Sequence, residues 1–131
     1  MLEARSIAPL VIVAEDDEEM RRLVTRALRR DGYDVLAVHD GASLFEVVTS
    51  ARRDGRTPDL IVSDVRMPHG TGLEVVERLR AEGCDVRVIL VSAFADHQTI
   101  RRATAMGVAY VMSKPFDLDD LRTVAHHVLA R

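Results

Sequence analysis

One segment of the chain predicts the arrangement of the rest: Leu60-Ile61-Val62-Ser63-Asp64-Val65-Arg66-Met67-Pro68-His69-Gly70-Thr71-Gly72. Its apolar first part predicts a β-strand that is buried on both faces. Pro68 has no backbone N–H and cannot continue a central strand, while Gly70 and Gly72 allow a tight loop. Asp64 is then placed at the carboxyl end of the strand, where open α/β sheets bind their ligands. A simpler role for Asp64, as the cap of a turn, stays open at this point.

The pattern of this strand repeats along the chain. The predicted strands are residues 10–14, 33–38, 60–63, 86–91 and 108–112. Apolar residues at helical spacing follow each strand, and they include Leu23, Val24, Leu28, Leu44, Val48, Leu73, Val76, Ile100, Ala103, Leu121 and Val128. Asp40, Asp96 and Asp117 are predicted N-caps, and one helix is predicted from Gly72 to Glu82. Five strands that alternate with five helices predict a parallel sheet with helices on both faces.

The composition is that of a single globular domain, which we expect to occupy residues 1–131. The chain has 131 residues, of which 47% are apolar and 30% charged. Its net charge of −3 implies no general affinity for nucleic acid. No apolar run approaches the roughly 20 residues of a membrane helix. The single cysteine, Cys84, cannot form an internal disulfide, so we expect a cytoplasmic protein.

Polar residues with complementary chemistry follow four of the predicted strands. Glu15 and Asp16 follow the first strand, Asp64 the third, Ser92 the fourth and Lys114 the fifth. Parallel strands end at one edge, so all five residues are expected in one cleft. Clustered carboxylates repel one another unless a cation holds them, and an all-oxygen site suits Mg²⁺. With a hydroxyl and an ammonium nearby, Asp64 could act as a nucleophile that forms an aspartyl-phosphate. The alternative is a set of unrelated, separately solvated loop residues.

These motifs, taken together and in this order, resemble those of a response-regulator receiver domain of two-component signalling. They are the acid pair after the first strand, Asp64-x-x-Met67-Pro68 with Gly72, Ser92-Ala93, and Lys114-Pro115-Phe116. The resemblance covers nearly the whole chain. It implies a flavodoxin-like, doubly wound sheet of order 2-1-3-4-5. It also implies an activity: transfer of a phosphoryl group from a histidine kinase to the aspartate with Mg²⁺.

The resemblance assigns roles residue by residue. Asp64 would be the phosphoacceptor, and Ser92 and Lys114 would bind the phosphoryl group. Asp16 would bind Mg²⁺ directly, Glu15 mostly through water, and the backbone carbonyl of Arg66 would complete the protein ligands. Arg21 is the register mark that places the acid pair.

The sequence departs from the family pattern at one position that matters for switching. The family usually has an aromatic residue three before the lysine, where this chain has Val111, and Tyr110 is one residue earlier. Adjacent strand residues point to opposite faces, so the usual aromatic rotation is in doubt. Arg66 and Phe94 flank the site at positions that often tune the lifetime of the phosphate.

The resemblance also implies the partners. They are a histidine kinase or phosphotransfer protein upstream and a protein target or output domain downstream. The partner face, which could also form a homodimer, would consist of the fourth helix, fifth strand and fifth helix. We expect no direct binding of nucleic acid or membrane, no output domain in residues 1–131, and no enzymatic activity beyond self-phosphorylation and autodephosphorylation.

Three other functions compete with this interpretation. A Mg²⁺-dependent phosphohydrolase with an aspartyl nucleophile usually has a second acid two residues after the nucleophile, where this chain has Arg66. A degenerate receiver used only for docking would not need the full set of acids, serine and lysine. A flavodoxin-like nucleotide binder would need a glycine-rich phosphate loop after the first strand, which the acidic run replaces.

Overall fold

A computed structural model describes residues 7–131; residues 1–6, which the sequence assigns to the same domain, lie outside the described part. The elements alternate in the order β1 Leu10–Ala14, α1 Glu18–Arg30, β2 Asp34–Val38, α2 Gly41–Arg53, β3 Leu60–Asp64, α3 Gly72–Ala81, β4 Arg87–Ser92, α4 His97–Ala105, β5 Tyr110–Ser113 and α5 Leu118–Leu129. The five strands form one sheet of order β2-β1-β3-β4-β5, and every pair is parallel. The predicted fold class is confirmed.

Two apolar layers hold the helices against the sheet. Alternate strand residues face opposite sides, so Ile12, Ile61 and Leu90 pack under α2, α3 and α4. Val11, Val62 and Ile89 pack on the other side, under α1 and α5. Strands β1 and β3 are buried along their whole length, and β4 along all but its first residue. Burial on both faces explains why these strands are continuous apolar runs.

Each helix begins at a side chain that accepts a hydrogen bond from the first turn. Asp40, Asp96 and Asp117 are N-caps, as predicted. Thr71 caps α3 and forms a reciprocal capping box with Glu74. Asp17 caps α1 by accepting from the N–H groups of Glu19 and Met20. The acidic run after β1, residues 15–19, therefore has two roles. It contains the N-cap of α1 as well as the predicted acid pair.

Some predicted element bounds were wrong. Strand β5 is Tyr110–Ser113 rather than 108–112, because the Val108 N–H donates to the Ala103 carbonyl at the end of α4. Strand β2 begins at Asp34 rather than Tyr33, β4 spans Arg87–Ser92 rather than 86–91, and α3 ends one residue early. Shifts of this size are usual at element ends, where local hydrogen bonding competes with the ladder.

Two residues predicted on apolar helix faces are not in the core. Leu23 and Ile100 are each 40% exposed, whereas their neighbours Val24 and Ala103 are buried. The helical period gives a stripe of candidate positions, and packing against the sheet selects among them. No helix within residues 7–131 is long and apolar enough to span a bilayer.

Candidate functional site

The site lies at the carboxyl edge of the sheet, where strand register brings distant residues side by side. Ala14 pairs with Ser63, so Glu15 follows β1 beside Asp64 at the end of β3. Asp64 in turn pairs with Val91, which precedes Ser92 on β4. Ser92 pairs with Ser113, which precedes Lys114, and the Lys114 N–H donates to the Ser92 carbonyl over 2.8 Å. The ends of β1, β3, β4 and β5 therefore meet at one edge of the sheet, as the sequence predicted.

Three acids form the centre of the site. Glu15, Asp16 and Asp64 each have a carboxylate oxygen within 4.8 Å of those of the other two. Glu15 and Asp64 are buried, at 6% relative exposure each, while Asp16 is exposed. Among residues 7–131, no other group of His, Cys, Asp or Glu side chains has a geometry that could hold a metal ion. The exposed His126 and His127 on α5 are not part of such a group.

Lys114 bridges two of the acids. Its Nζ donates to Asp64 Oδ2 over 2.8 Å and to Glu15 Oε1 over 3.3 Å. Burial disfavours the lysine's charge, but the hydrogen bond that Lys114 donates to Asp64 and the charges of Asp64 and Glu15 outweigh it and raise the pKa of Lys114. The ammonium group therefore stays charged and offsets part of the repulsion between the carboxylates.

The ionised form of Glu15 is disfavoured even though Lys114 lies beside it. Burial, with the neighbouring Asp64 charge adding to it, raises the pKa of Glu15 from 4.5 to about 7. The Asp17 N–H, which donates to Glu15 Oε2 over 3.1 Å, acts in the opposite direction. A buried carboxyl group with this pKa will gain or lose a proton near neutral pH, according to the positive charge placed beside it.

Sequence reasoning missed two contacts that shape the acidic loop, residues 15–17 between β1 and α1. Arg21 was only a register mark, but its Nη1 donates to the Glu15 backbone carbonyl over 2.9 Å. Asp17, to which the sequence assigned no role, caps α1, and its N–H donates to Glu15 Oε2. Arg21 lies six residues after Glu15 and one helical turn into α1. This spacing is the sequence signal that could have indicated a hydrogen bond from Arg21 back to the loop.

Ser92 and Arg66 lie at the same edge but contact other groups. Ser92 is 4% exposed, and its Oγ accepts from the Phe94 N–H over 3.1 Å. The exposed Arg66 places its guanidinium carbon 5.8 Å from the centre of the Phe94 ring. Their predicted roles, as a phosphoryl-binding hydroxyl and a carbonyl ligand, therefore remain predictions.

The loop after β3 is held by two close backbone approaches. A Cβ on Gly72 would lie 2.5 Å from the Asp64 carbonyl oxygen and 2.9 Å from Ser63 Oγ. A Cβ on Gly41, at the start of α2, would collide with the Gly70 carbonyl. Both glycines are there because no side chain fits, and together they fix the loop that leaves Asp64.

Strand β5 carries no aromatic side chain toward α4. Val111 packs in the layer under α2, α3 and α4, whereas its neighbour Met112 packs in the layer under α1 and α5. Tyr110, one residue before Val111, is 49% exposed. The predicted opposition of these two positions is consistent with this packing.

The donor set fits a small, hard divalent cation. All three side chains offer carboxylate oxygens, and one of the acids is exposed, so water can complete the coordination shell. Without a cation, burial and the charge of Asp64 favour the protonated form of Glu15 near pH 7. A divalent ion would reverse that preference, as expected of a carboxylate that serves as a ligand.

Comparison with known proteins gives the family. The sequence model of the family described as "Response regulator receiver domain" matches residues 11–126. The chain is 26% identical to sporulation initiation phosphotransferase F of Bacillus subtilis (strain 168), over 86% of each chain. It is 34% identical to the DNA-binding transcriptional regulator NtrC of Azospirillum brasilense, over 93% of this chain and 24% of that one. The chain thus spans about a quarter of the length of the NtrC relative.

Solved structures give the same fold. The receiver domain of Francisella response regulator 1452 superposes with a TM-score of 0.84 at 24% identity, over 94% of this chain and 98% of that one. The receiver domain of NarL from Mycobacterium tuberculosis superposes with a TM-score of 0.78 at 26% identity, over 95% and 98% of the two chains.

Proposed function

Because this chain belongs to the response regulator receiver family, we propose that it is a phosphorylation-dependent switch whose phosphoacceptor is Asp64. Receiver domains are regulatory switches rather than classical enzymes, and they bind Mg²⁺ at an acidic pocket. The observation that carries the assignment to this residue is the bridge from Lys114 Nζ to Asp64 Oδ2 and Glu15 Oε1. Among the three clustered acids, Asp64 is the one at the end of a central strand and in the shorter contact with the lysine.

In the proposed reaction, an Asp64 carboxylate oxygen attacks phosphorus on a histidine kinase or phosphotransfer protein. A P–O bond to Asp64 forms, the P–N bond to the donor imidazole breaks, and the imidazole nitrogen keeps the electron pair. Lys114 would move with the charge, from the Asp64 carboxylate to a phosphoryl oxygen. The Ser92 hydroxyl would donate to a second phosphoryl oxygen. Water later attacks phosphorus, which releases inorganic phosphate and restores the carboxylate.

Glu15, Asp16 and Asp64 would hold Mg²⁺, with the Arg66 carbonyl as a further ligand. When bound, the ion would offset the negative charge that spreads over the phosphoryl oxygens during transfer. Arg21 supports this arrangement by fixing the Glu15 carbonyl, and Asp17 supports it by orienting the Glu15 carboxylate.

The signal would leave through α4, β5 and α5. The loop from Ser92 runs into α4, whose N-cap is Asp96, and Lys114 follows β5 directly. Movement of Ser92 and Lys114 toward a phosphoryl group would therefore pull on both segments. We propose that this face meets a protein target, an output domain or a second copy of the chain.

The test is phosphorylation by acetyl phosphate with Mg²⁺, followed by intact mass spectrometry. The parent protein should gain one phosphoryl group, and Asp64→Asn should gain none because the amide is not a nucleophile. Asp85→Asn, an exposed acid before β4, is the matched control and should be labelled like the parent. Equal labelling of Asp64→Asn and the parent would refute the assignment. Steady turnover of simple phosphomonoesters would instead favour the phosphohydrolase.

A further inference from the structure

Phe94 is a large apolar side chain in an unusual place. Its ring is 68% exposed, and it lies in the short loop between β4 and α4. The guanidinium carbon of Arg66 is 5.8 Å from the ring centre, in the range of a weak cation–π contact. Exposing a phenyl ring to water is unfavourable, so another position that covered the ring would compete with this one.

A side-chain hydrogen bond ties the loop that carries Phe94 to the site. The Phe94 N–H donates to Ser92 Oγ over 3.1 Å. The same hydroxyl is the group proposed to bind the phosphoryl oxygen. The hydroxyl can donate its O–H to a phosphoryl oxygen while Oγ still accepts from the Phe94 N–H. A shift of Ser92 Oγ toward the phosphoryl group would therefore draw the Phe94 backbone with it.

A partly open cavity beside the ring offers a more covered position. It has a volume of about 280 Å³ and lies between the loop after β3, the loop after β4 and the first turns of α4. Val65 and Leu73, both buried, supply apolar walls, and Ser92 and Thr99 line it as well. A cavity of about 150 Å³ is enough for benzene in a protein interior, so the space can hold a phenyl ring.

We propose that Phe94 is the moving part of the switch: on phosphorylation of Asp64, its ring leaves Arg66 and enters this cavity. The inference rests on the proposed function. A new phosphoryl dianion near Arg66 competes with the ring for the guanidinium, while Ser92 Oγ turns toward the phosphoryl group. Asp96, two residues after Phe94, caps α4 through the Thr99 N–H. Displacement of Phe94 is thus passed directly to the start of α4.

None of the β5 residues, Tyr110–Ser113, lines this cavity. Val111 faces α4 but is aliphatic and packs in the core layer. Tyr110 is 49% exposed at the adjacent position. The chain therefore carries its mobile aromatic in the loop after β4.

Fluorine NMR of the protein labelled with fluorophenylalanine tests the proposal without altering the sequence. The chain has three phenylalanines, Phe45, Phe94 and Phe116, and the spectrum of Phe94→Leu identifies the Phe94 resonance by its loss. Spectra are recorded with Mg²⁺ and beryllofluoride, a phosphoryl mimic whose bound fluorides appear in the same spectrum. The difference in chemical shift between light and heavy water measures the exposure of each ring.

On binding of beryllofluoride, the solvent isotope shift of Phe94 should fall about twofold or more as the exposed ring is covered. Phe45 on α2, whose ring is covered by the Arg78 guanidinium and does not line the cavity, should not change. Bound fluoride signals with an unchanged Phe94 resonance would overturn this inference and leave the proposed function intact. Absence of bound fluoride would overturn the proposed function itself.

Ser92→Ala provides the second test. At saturating beryllofluoride, judged from the bound fluoride signals, the Phe94 isotope shift in this variant should stay near its unliganded value. A decrease equal to that of the parent would show that Phe94 moves without Ser92 and would refute the proposed link.

Discussion

Lys114 Nζ lies 2.8 Å from Asp64 Oδ2, although the two residues are 50 positions apart in the chain. The contact joins the end of β3 to the loop after β5, across β4. It also sets the charge balance of the site, because the same ammonium reaches Glu15. The following predictions depend on this relationship and on its neighbours.

Replacing Lys114 with methionine should slow phosphorylation of Asp64 by acetyl phosphate on the order of 100-fold, because one positive donor to the developing phosphoryl charge is lost. Lys114→Arg keeps the charge but not the compact geometry, so its phosphorylation rate should lie between those of the parent and the methionine variant. The rates are measured by quenched-flow mass spectrometry. If the methionine variant were phosphorylated as fast as the parent, Lys114 would have no role in the phosphorylation step.

Millimolar Mg²⁺ should raise the melting temperature, since an ion that binds only the folded site stabilises it by mass action. Asp16→Ala removes one of the three clustered carboxylates and should abolish this increase. Asp120→Ala, an exposed acid on α5, is the control and should retain it. The measurement is differential scanning calorimetry across a magnesium titration, and an equal increase in Asp16→Ala would contradict the metal site.

Without Mg²⁺, the raised pKa of Glu15, about 7, should make stability depend on pH. A carboxyl group whose folded pKa lies above its unfolded value stabilises the fold most below that unfolded value, and this contribution is lost as pH rises through about 7. The free energy of unfolding of the parent, relative to Glu15→Gln, should therefore decrease from about pH 4.5 to above 7. Urea titrations at several pH values measure it. A relative stability that rises over this interval would contradict the sign.

Ser92→Ala should weaken the conformational response more than Val111→Ala does. The first variant removes the hydroxyl between the site and the loop after β4, whereas the second only trims a core aliphatic side chain. Amide chemical shifts with and without beryllofluoride should change over residues 94–112 in the parent and in Val111→Ala, and about half as much or less in Ser92→Ala. Changes confined to the acidic loop of the parent would indicate a passive phosphate acceptor.

Gly72→Ala should destabilise the protein by about 1–3 kcal/mol, the usual cost of overpacking, because the new methyl would be forced against backbone. It should also slow phosphorylation, since the displaced atoms belong to Asp64 and Ser63. Gly55→Ala, at a positive φ with open space around it, is the control for strain alone and should not affect phosphorylation. Equal effects of Gly72→Ala and Gly55→Ala on phosphorylation would show that the rate does not depend on the geometry of the loop after β3.

The layered fold, and the edge of the sheet on which the site lies, could be predicted from the order and local pattern of the residues. Unbroken apolar runs such as residues 60–62 are typical of strands in the middle of a sheet with helices on both faces. Parallel strands all end on one side, so the residues that follow them must share an edge, and the acids, Ser92 and Lys114 could be placed together from order alone. Asp40, Asp96 and Asp117 were predictable as caps because capping is decided within four residues.

The contacts that these side chains make with one another could not be predicted from the sequence. Only packing shows that Lys114 bridges Asp64 and Glu15, that Arg21 holds the Glu15 carbonyl, and that Ser92 Oγ accepts from Phe94. It also leaves Leu23 and Ile100 partly exposed on helices whose period would admit them to the core. The physical reason is range: propensity and periodicity act over a few residues, whereas a rotamer, a cavity or a shifted pKa depends on segments that meet only after folding.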